Sequence, residues 1–419
     1  MCGWVWVFCF VLAESGIWVF CLCCEIGDGD KRKMCVCVCV CVCVCVCVCV
    51  CMCVCVYDAD FYLETGARRC WITTGTDEVV QHLKDNAHIL QERTPRTSDF
   101  TTMYTNLPHP TIKTNVEHAI REAHAYEQQQ QLQQHGLRQT PLFLVPDEDD
   151  RYTWSRTPHT GRTPDTGSLT VEQLIQHLHF IVDNTFLLTQ DRTVRRQCVG
   201  LPMGTNASPE IATLTLYWVE ANFIDKLLLE NTREAQLHAH THRFIDDVLT
   251  WNTLPPPPDI YGLEWKETTN TDNTCTFLGT TISTSQANLK IGIFDKALEW
   301  TFKVIRYPSA TSNAPAHQAA GVFTGQLTRF ARACNNVRAF RTATQQLTLR
   351  MLQRGHHPSS LAKGWTSHIK GYQTRSPKLT RNLTTWFRKM TVWALHQSAP
   401  ITNRPSHPPP PRYEHPPIP

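Results

Sequence analysis

The stretch that decides the fold of this chain is RFIDDVL, residues 243–249. Its two adjacent carboxylates lie between apolar residues, and burying them is costly unless a cation neutralises them. The apolar residues on each side predict two short buried strands, with Asp246 and Asp247 at the tip of a tight hairpin. Such a pair is typical of a Mg²⁺ site, because Mg²⁺ prefers oxygen ligands and keeps waters and substrate phosphates as the others. The alternative is an ordinary Asp-Asp turn.

Two further motifs precede this hairpin. DFTTMYTNLP (residues 99–108) begins a short β-rich stretch with Asp99 and carries an aromatic residue, Tyr104, five positions later. GLPMGTNASP (residues 200–209) follows well downstream. In-line phosphoryl transfer uses two metal ions about 4 Å apart, clamped by carboxylates from separate strands. We therefore expect Asp99 to approach Asp246 in the folded chain.

The order of the three motifs resembles motifs A, B and C of reverse transcriptases. Asp-x4-Tyr comes first, LPxGxxxSP second, and aromatic-x-Asp-Asp last. The longer stretches are similar to the reverse transcriptases of Penelope-like retroelements, which are related to telomerase. They are MYTNLPH (103–109), GLPMGTNASPEIATLTLYWVE (200–220), CTFLGTTIS (275–283), IFDKALEWTFKVIRYPSATSNAP (293–315), LTRFARACNN (327–336) and LQRGHHPSSL (352–361). The similarity covers about Asp99 to Ile369.

The resemblance implies an α+β fold: a right-hand polymerase palm with an antiparallel sheet and a helical thumb, with the fingers largely missing. It also implies RNA-directed DNA synthesis, with an RNA template, a DNA primer and deoxynucleoside triphosphates as partners. Asp99, Asp246 and the carbonyl of Phe100 would hold two Mg²⁺ ions, which Mn²⁺ can replace, and Asp247 would support them.

The resemblance also implies a nucleotide site. Tyr104 would stack under the deoxyribose and exclude a 2′-hydroxyl, which disfavours an RNA-templated RNA polymerase. Lys266 is a candidate for the lysine that protonates the leaving pyrophosphate, although a surface lysine is an equal alternative. The residues implied at the nucleotide are Phe100, Tyr104, Pro202, Met203 and Gly204.

The chain length leaves room for two or three domains. Fingers motifs are not matched before residue 99, where Arg68, Arg69 and Lys84 are candidates for holding the triphosphate. The rival hypothesis is therefore a catalytically inactive nucleic-acid-binding remnant of a retroelement, against which the intact Asp99 and Asp246 argue. The expected divisions are 1–56 (low complexity), 57–98 (fingers remnant), 99–307 (palm, with an insertion at 136–165), 308–375 (helical basic thumb) and 376–419 (basic, then Pro-rich tail).

The first segment is unusual in its cysteines. Sixteen of the 20 cysteines fall in residues 1–56, and 11 of them alternate with valine from residue 35 onwards. A TG-dinucleotide repeat translates as Cys-Val-Cys-Val, so we interpret the segment as a translated repeat and expect it to make few contacts with the palm. A signal peptide or membrane anchor in residues 1–24 and a metal-binding cysteine tract are the alternatives. Zinc sites use wider cysteine spacings. Glu14 and Gly16 interrupt the apolar run of residues 1–24, so we expect no membrane partner. The scattered remaining cysteines are typical of an intracellular protein, and we expect a nuclear or intracellular location.

Charge is distributed unevenly along the chain. The net charge is only +3. Residues 290–419, however, hold 19 Lys and Arg and 3 Asp and Glu, a net of +16, and no acid lies between Thr301 and Tyr413. Such a region is the footprint of a polyanion partner. The residues expected along a primer–template duplex are Lys303, Arg329, Arg332, Arg338 and Arg341.

Three local patterns complete the predictions. Thr170 to Gln173 resembles a capping box that begins a helix. His238, His240 and His242 alternate, which predicts one strand face, either polar or metal-binding. Gly200 and Gly204 are expected to let the backbone approach a ligand closely.

Overall fold

The chain divides into two compact units, Met1–Lys290 and Ile291–Pro419. The computed structural model describes residues 7–12, 18–23, 58, 60–135, 143–146, 152–155, 168–188, 193–203, 205, 207–285, 288–302, 304–315, 317–373 and 377–398. The Cys-Val run, the acidic run 147–150 and the Pro-rich end lie outside these residues, as do Gly204 and Lys303.

A four-stranded antiparallel sheet, the central sheet, forms the middle of the first unit. It is built from the two motif strands that carry the acidic residues and from one strand on each side of them. In spatial order the strands are Trp265–Glu267, Pro95–Phe100, Asp247–Trp251 and His242–Phe244. Because side chains alternate between the faces of a strand, each strand sends every second residue to the helices and the others away from them.

Three long helices cover one face of the central sheet and enclose the main core. They are His109–His135, Val171–Asp183 and Ser208–Glu230. Phe100 and Val248 from the sheet are buried in the same cluster as Ile112, Leu174 and Leu214 from the helices. The capping-box prediction is confirmed: the Thr170 hydroxyl accepts from the Gln173 amide, and the Gln173 side chain accepts from the Thr170 amide.

The described part of residues 1–56 does not stand apart from the rest of the unit. Val7–Leu12 and Trp18–Cys23 form an antiparallel pair, and the second strand continues onto the hairpin Phe186–Leu188 and Val194–Arg196. The result is a second four-stranded sheet. The expectation of few contacts was therefore wrong for these two strands, since backbone pairing depends on strand geometry and not on how the sequence arose.

The region before the Asp99 strand also belongs to the first unit. It contains a helical segment at residues 60–65 and the helices Thr76–Asp85 and Ala87–Leu90. Residue 72 bridges in parallel to Arg243. The Arg243 amide donates to the Trp71 carbonyl at 2.6 Å, and the Thr73 amide donates to the Arg243 carbonyl at 3.0 Å. This segment thus adds a short fifth row to the edge of the central sheet.

The three alternating histidines do not share a strand, so that prediction was wrong. His238 and His240 lie in a 3₁₀ turn, His238–His240, and only His242 lies in a strand. All three are buried. His238 stacks on Trp71 at a centroid distance of 5.1 Å. The turn separates them because the preceding helix, Thr232–Leu237, continues directly into it.

The remaining elements of the first unit are short. Phe143–Pro146 pairs with Tyr152–Ser155, and Thr274–Phe277 pairs with Thr280–Thr284. Met103–Asn106 and Pro258–Tyr261 are single helical turns. The strand Leu289–Ile293 contains the boundary between the two units.

The second unit is a helical bundle. After a 3₁₀ turn at Lys296–Leu298, its helices are Gln318–Ala333, Val337–Gln353, Pro358–Gln373 and Pro377–Ser398. Trp365 and Phe387 stack in its core with centroids 4.2 Å apart. The sequence predicted a helical basic thumb over residues 308–375, and the last of these helices lies within residues that we had assigned to the tail. In the part of the chain that the structure describes, no helix is both long and apolar enough to cross a bilayer.

Candidate active site

The RFIDDVL hairpin turns at Ile245 and Asp246. Phe244 pairs with Asp247 across the turn, so Asp246 occupies the turn itself and Asp247 begins the return strand. Ile245 has φ 57°. A positive φ at only the first of two turn residues is the pattern of a type II′ turn, in which glycine is usual. A β-branched residue there is a genuine outlier, so the surrounding structure must hold this turn in place.

The central sheet brings the acidic residues of the two motifs together. Asp99 lies directly opposite Asp247 in the register of the antiparallel strands. The Phe100 amide donates to the Asp246 carbonyl at 3.1 Å, which ties the strand end to the turn. On the other side of Asp99, Lys266 is its cross-strand partner. Lys266, Asp99 and Asp247 therefore form a row on one face of the sheet.

Electrostatics couples Asp246 to its neighbours. Burial raises the pKa of the half-buried Asp246 carboxyl, and the negative charge of Asp99 raises it further. Burial also raises the pKa of Tyr104 to about 12, with contributions from the charges of Asp246 and Glu210. The Tyr104 hydroxyl is therefore protonated at neutral pH. The sequence reasoning missed Glu210, whose only signal was an acid in the first turn of the motif B helix.

The donor set suits a metal that takes few protein ligands. Among the described residues, no group of three or more His, Cys, Asp or Glu side chains is placed to hold a metal ion. Mg²⁺ needs less, because it binds through one or two carboxylates and keeps waters and substrate phosphates. The charge of Asp99 acts on Asp246, and a divalent cation would offset this repulsion. The two carboxylates of Asp99 and Asp246 fit the few protein ligands that Mg²⁺ takes. The histidines of the His238–His240 turn belong to no group of three side chains that could hold a metal ion.

The motif B loop docks onto the turn that follows Asp99. The Gly200 amide donates to the Leu107 carbonyl, and the Leu201 amide donates to the Tyr104 carbonyl, both at 2.7 Å. Nε2 of the buried His109 donates to the Gly200 carbonyl at 2.9 Å. A Cβ atom at Gly200, where φ is +81°, would lie 2.2 Å from the Tyr104 carbonyl oxygen. We expected Gly200 to let a ligand approach the backbone closely. Its missing side chain instead makes room for the backbone of Tyr104 in the same chain.

The other motif B residues differ in their exposure. Pro202 is buried, and Met203 has 45% of its surface exposed. Pro209 lies in the first turn of the helix Ser208–Glu230. Met203 is therefore accessible to a ligand on the loop, and Gly204 lies outside the described residues.

A buried ion pair connects this helix to the hairpin. Arg243 and Glu220 both have fully buried side chains, and the Arg243 Nε and Glu220 Oε1 atoms are 2.5 Å apart. The Tyr261 hydroxyl donates to the same oxygen at 3.2 Å. Burial raises the pKa of the Glu220 carboxyl, and the hydrogen bonds from Arg243 and Tyr261 act against that rise.

The arginines that we considered for the triphosphate have other partners. Arg69 is buried, and its guanidinium lies 2.9 Å from Glu122 and 2.8 Å from Asp225. Arg68 lies 3.1 Å from Asp58. Arg69 therefore holds its segment against two helices of the first unit, and Arg68 pairs within that segment and donates to the Thr241 carbonyl at 3.3 Å. These contacts make both arginines poor candidates for binding a phosphate.

The predicted nucleic-acid-binding arginines lie on two neighbouring helices of the second unit. Arg329 and Arg332 are exposed near the end of Gln318–Ala333, and Arg338 is exposed near the start of the next helix. Arg341 is half-buried, with its guanidinium 5.3 Å from the centre of the Trp386 ring. Lys303 lies outside the described residues. The three exposed arginines remain accessible to a ligand.

Comparison with known proteins gives distant structural similarity to telomerases. No protein-family model and no curated protein matches the chain. A telomerase from Candida albicans, in complex with the TWJ fragment of telomeric RNA, has a TM-score of 0.44 at 9% identity over 91% of this chain and 58% of that chain. For apo telomerase from Candida tropicalis the TM-score is 0.36 at 13% identity, over 78% of this chain and 52% of that chain.

A Candida tropicalis telomerase truncated from its C-terminal domain is also similar, with a TM-score of 0.34 at 15% identity over 52% of this chain and 40% of that chain. The chain thus spans 40% to 58% of the length of these telomerases. Similarities this low do not assign it to a family.

Proposed function

We propose that the chain is an RNA-directed DNA polymerase of the Penelope-like retroelement type, acting by two-metal phosphoryl transfer. The observation that carries the proposal is the position of Asp99 directly opposite Asp247, beside a turn that holds Asp246. Carboxylates that two neighbouring strands bring together repel one another, and a bound cation would offset this repulsion.

The residues of the site would have separate roles in binding the metal and the nucleotide. Asp99, Asp246 and the Phe100 carbonyl would hold Mg²⁺, and Asp247 would support them from the return strand. When bound, Mg²⁺ supplies charge neutralisation at the transferring phosphate and a more acidic primer 3′-hydroxyl. Tyr104, which is half-buried and protonated at neutral pH, would pack against the sugar of the incoming nucleotide.

The proposed partners are an RNA template, a DNA primer and deoxynucleoside triphosphates. Support comes from the sequence motifs and from the exposed arginines of the basic second unit. Backbone phosphates would relieve the mutual repulsion of these cations. We propose a nuclear or intracellular location for the chain, where such a template would be found.

Primer extension tests the proposal. The full chain is incubated with an RNA template, a labelled DNA primer, deoxynucleoside triphosphates and Mg²⁺, and product length is measured. We expect extension by the wild type and a loss of at least about 10³-fold in Asp246→Asn, because one metal ligand is removed. Asp259→Asn is the matched control, since Asp259 is an exposed carboxylate of the same unit outside the central sheet.

Two outcomes would contradict the proposal. One is extension by Asp246→Asn at the wild-type rate. The other is a wild-type chain that binds primer–template without extending it in either Mg²⁺ or Mn²⁺, which is the behaviour of an inactive nucleic-acid-binding remnant.

A further inference from the structure

Arg243 is a fully buried cation in the strand that leads into the Asp246 turn. Its guanidinium meets the carboxylate of Glu220 with two hydrogen bonds, Nε to Oε1 at 2.5 Å and Nη2 to Oε2 at 3.0 Å. Two parallel bonds of this kind fix the orientation of the guanidinium as well as its position. Glu220 therefore determines where the remaining N–H groups of Arg243 point.

Those remaining groups reach the backbone on both sides. Nη2 also donates to the Thr213 carbonyl at 3.0 Å, inside the helix Ser208–Glu230. Nη1 donates to the Ile245 carbonyl at 3.2 Å. The guanidinium thus connects the middle of the motif B helix to the peptide group that directly precedes Asp246.

The contact falls on the strained residue of the turn. Ile245 has φ 57°, a conformation that a β-branched residue keeps only when its surroundings hold it. The bond from Nη1 is one such restraint, and the bond from the Phe100 amide to the Asp246 carbonyl, at 3.1 Å, is another. Losing the first would let the turn relax towards a conformation that the isoleucine prefers.

We propose that Arg243 is a positioning residue of the active site. Held by Glu220, it fixes the Ile245 carbonyl and so keeps the Asp246 carboxylate beside Asp99. This role of Arg243 rests on the proposed function, since a metal site needs the carboxylates of Asp99 and Asp246 close together. The restraint on the turn can be measured without that function.

The competing interpretation is a buried ion pair that only holds the helix to the sheet. Buried pairs of this kind often contribute little net stability, because desolvation offsets their attraction. Tyr261→Phe provides a matched control. It removes a hydrogen bond of 3.2 Å from the same carboxylate while keeping the ring that packs edge-on against Phe100, 4.7 Å between centroids.

Hydrogen exchange tests the restraint. Exchange of the full chain is followed by mass spectrometry in peptides covering residues 243–249 and, as an internal reference, residues 171–177 of the helix Val171–Asp183, to which Arg243 makes no hydrogen bond. Arg243→Lys keeps the charge but cannot reach Glu220, Thr213 and Ile245 together. We expect at least tenfold faster exchange in the hairpin peptide, with the reference peptide and Tyr261→Phe unchanged. Hairpin exchange within twofold of wild type would overturn the proposal.

A second variant decides the question if Arg243→Lys does not fold. Glu220→Gln keeps the shape of the acceptor but weakens its hold on the guanidinium, and we expect at least threefold faster exchange in the hairpin peptide. An unchanged hairpin in a folded Glu220→Gln would equally overturn the proposal.

Metal affinity separates the positioning role from the proposed function. Mn²⁺ binding is measured by electron paramagnetic resonance, and we expect at least tenfold weaker binding in Arg243→Lys and wild-type binding in Tyr261→Phe. Wild-type affinity in Arg243→Lys would overturn the positioning of Asp246. A wild type that neither binds Mn²⁺ nor extends a primer would refute the proposed function, and the exchange result would still decide the restraint.

Discussion

Asp99 lies directly opposite Asp247 across two antiparallel strands of the central sheet. Side chains in that relation point to the same face, with Cβ atoms about 4.5–5.5 Å apart. Asp246 adds a third carboxylate from the adjoining turn, and the charge of Asp99 helps to raise its pKa. Asp99 and Asp247 lie on the two inner strands of this sheet, and like charges directly opposite each other are expected to oppose folding of the metal-free protein.

Neutralising one of the facing acids should stabilise the metal-free protein while weakening its metal site. For Asp247→Asn we expect a gain of roughly 0.2–1 kcal/mol in the free energy of unfolding, because like charges directly opposite each other destabilise a sheet. Urea unfolding at neutral pH in the presence of a chelator measures the gain. Asp259→Asn, at an exposed site outside the sheet, should show no such gain. A destabilised Asp247→Asn would contradict the prediction.

The tight approach at Gly200 predicts a graded pair of alanine variants. Gly262 also has a positive φ, +65°, but no atom lies within 4 Å of its added Cβ. Gly262→Ala should therefore cost only the backbone strain, about 1 kcal/mol. Gly200→Ala should cost about 1–3 kcal/mol more, because its Cβ meets the Tyr104 carbonyl. Chemical denaturation of both variants gives the difference in their free energies of unfolding. Equal losses would show that the motif B loop shifts to accommodate the added methyl group at residue 200.

The buried histidines predict a loss of stability in acid. Burial lowers the pKa of His238 to about 4, so between pH 6.5 and pH 4 the unfolded chain binds the proton and the folded chain does not. Stability is then full above pH 6.5 and falls as the pH drops towards 4, by on the order of 1–2 kcal/mol at pH 5 for this residue.

His238→Phe should flatten that dependence, because phenylalanine preserves the stacking on Trp71 and carries no titrating group. Unfolding free energies at pH 7 and pH 5 give the measurement. If His238→Phe loses as much stability between the two pH values as the wild type, another group is responsible.

The exposed arginines of the second unit predict a salt-dependent nucleic-acid face. The double variant Arg329→Ala and Arg332→Ala should bind an RNA–DNA hybrid more weakly. Its slope of log affinity against log salt should fall by about one unit for each phosphate that the variant no longer neutralises. Fluorescence anisotropy over a salt series measures the slope. Affinity should depend little on sequence, because backbone contacts position without specifying.

A second basic pair controls for net charge. Arg388→Ala and Lys389→Ala also removes two exposed cations from the same unit, on its last helix. If both double variants weaken hybrid binding equally, the effect is general electrostatics and no particular face binds the nucleic acid. A wild-type slope in the Arg329 and Arg332 variant would rule out this pair as phosphate ligands.

Local sequence predicted the elements whose pattern is complete within a few residues. The capping box at Thr170 was visible, because it depends on neighbours along the chain. The histidine turn was not, since alternation describes a strand only if the backbone is extended. The two N-terminal strands were misjudged because their partner, Phe186–Leu188, is distant in sequence.

The sequence by itself determined which groups are available: acids at 99, 246 and 247, a glycine at 200, and a basic region over residues 290–419. Only the tertiary structure decided how they are used. Strand register placed Asp99 opposite Asp247. The close approach of the Tyr104 backbone requires a glycine at position 200. Burial paired Arg243 with Glu220 across 23 positions. These relations depend on distances between residues far apart in the chain, which no local pattern of side chains encodes.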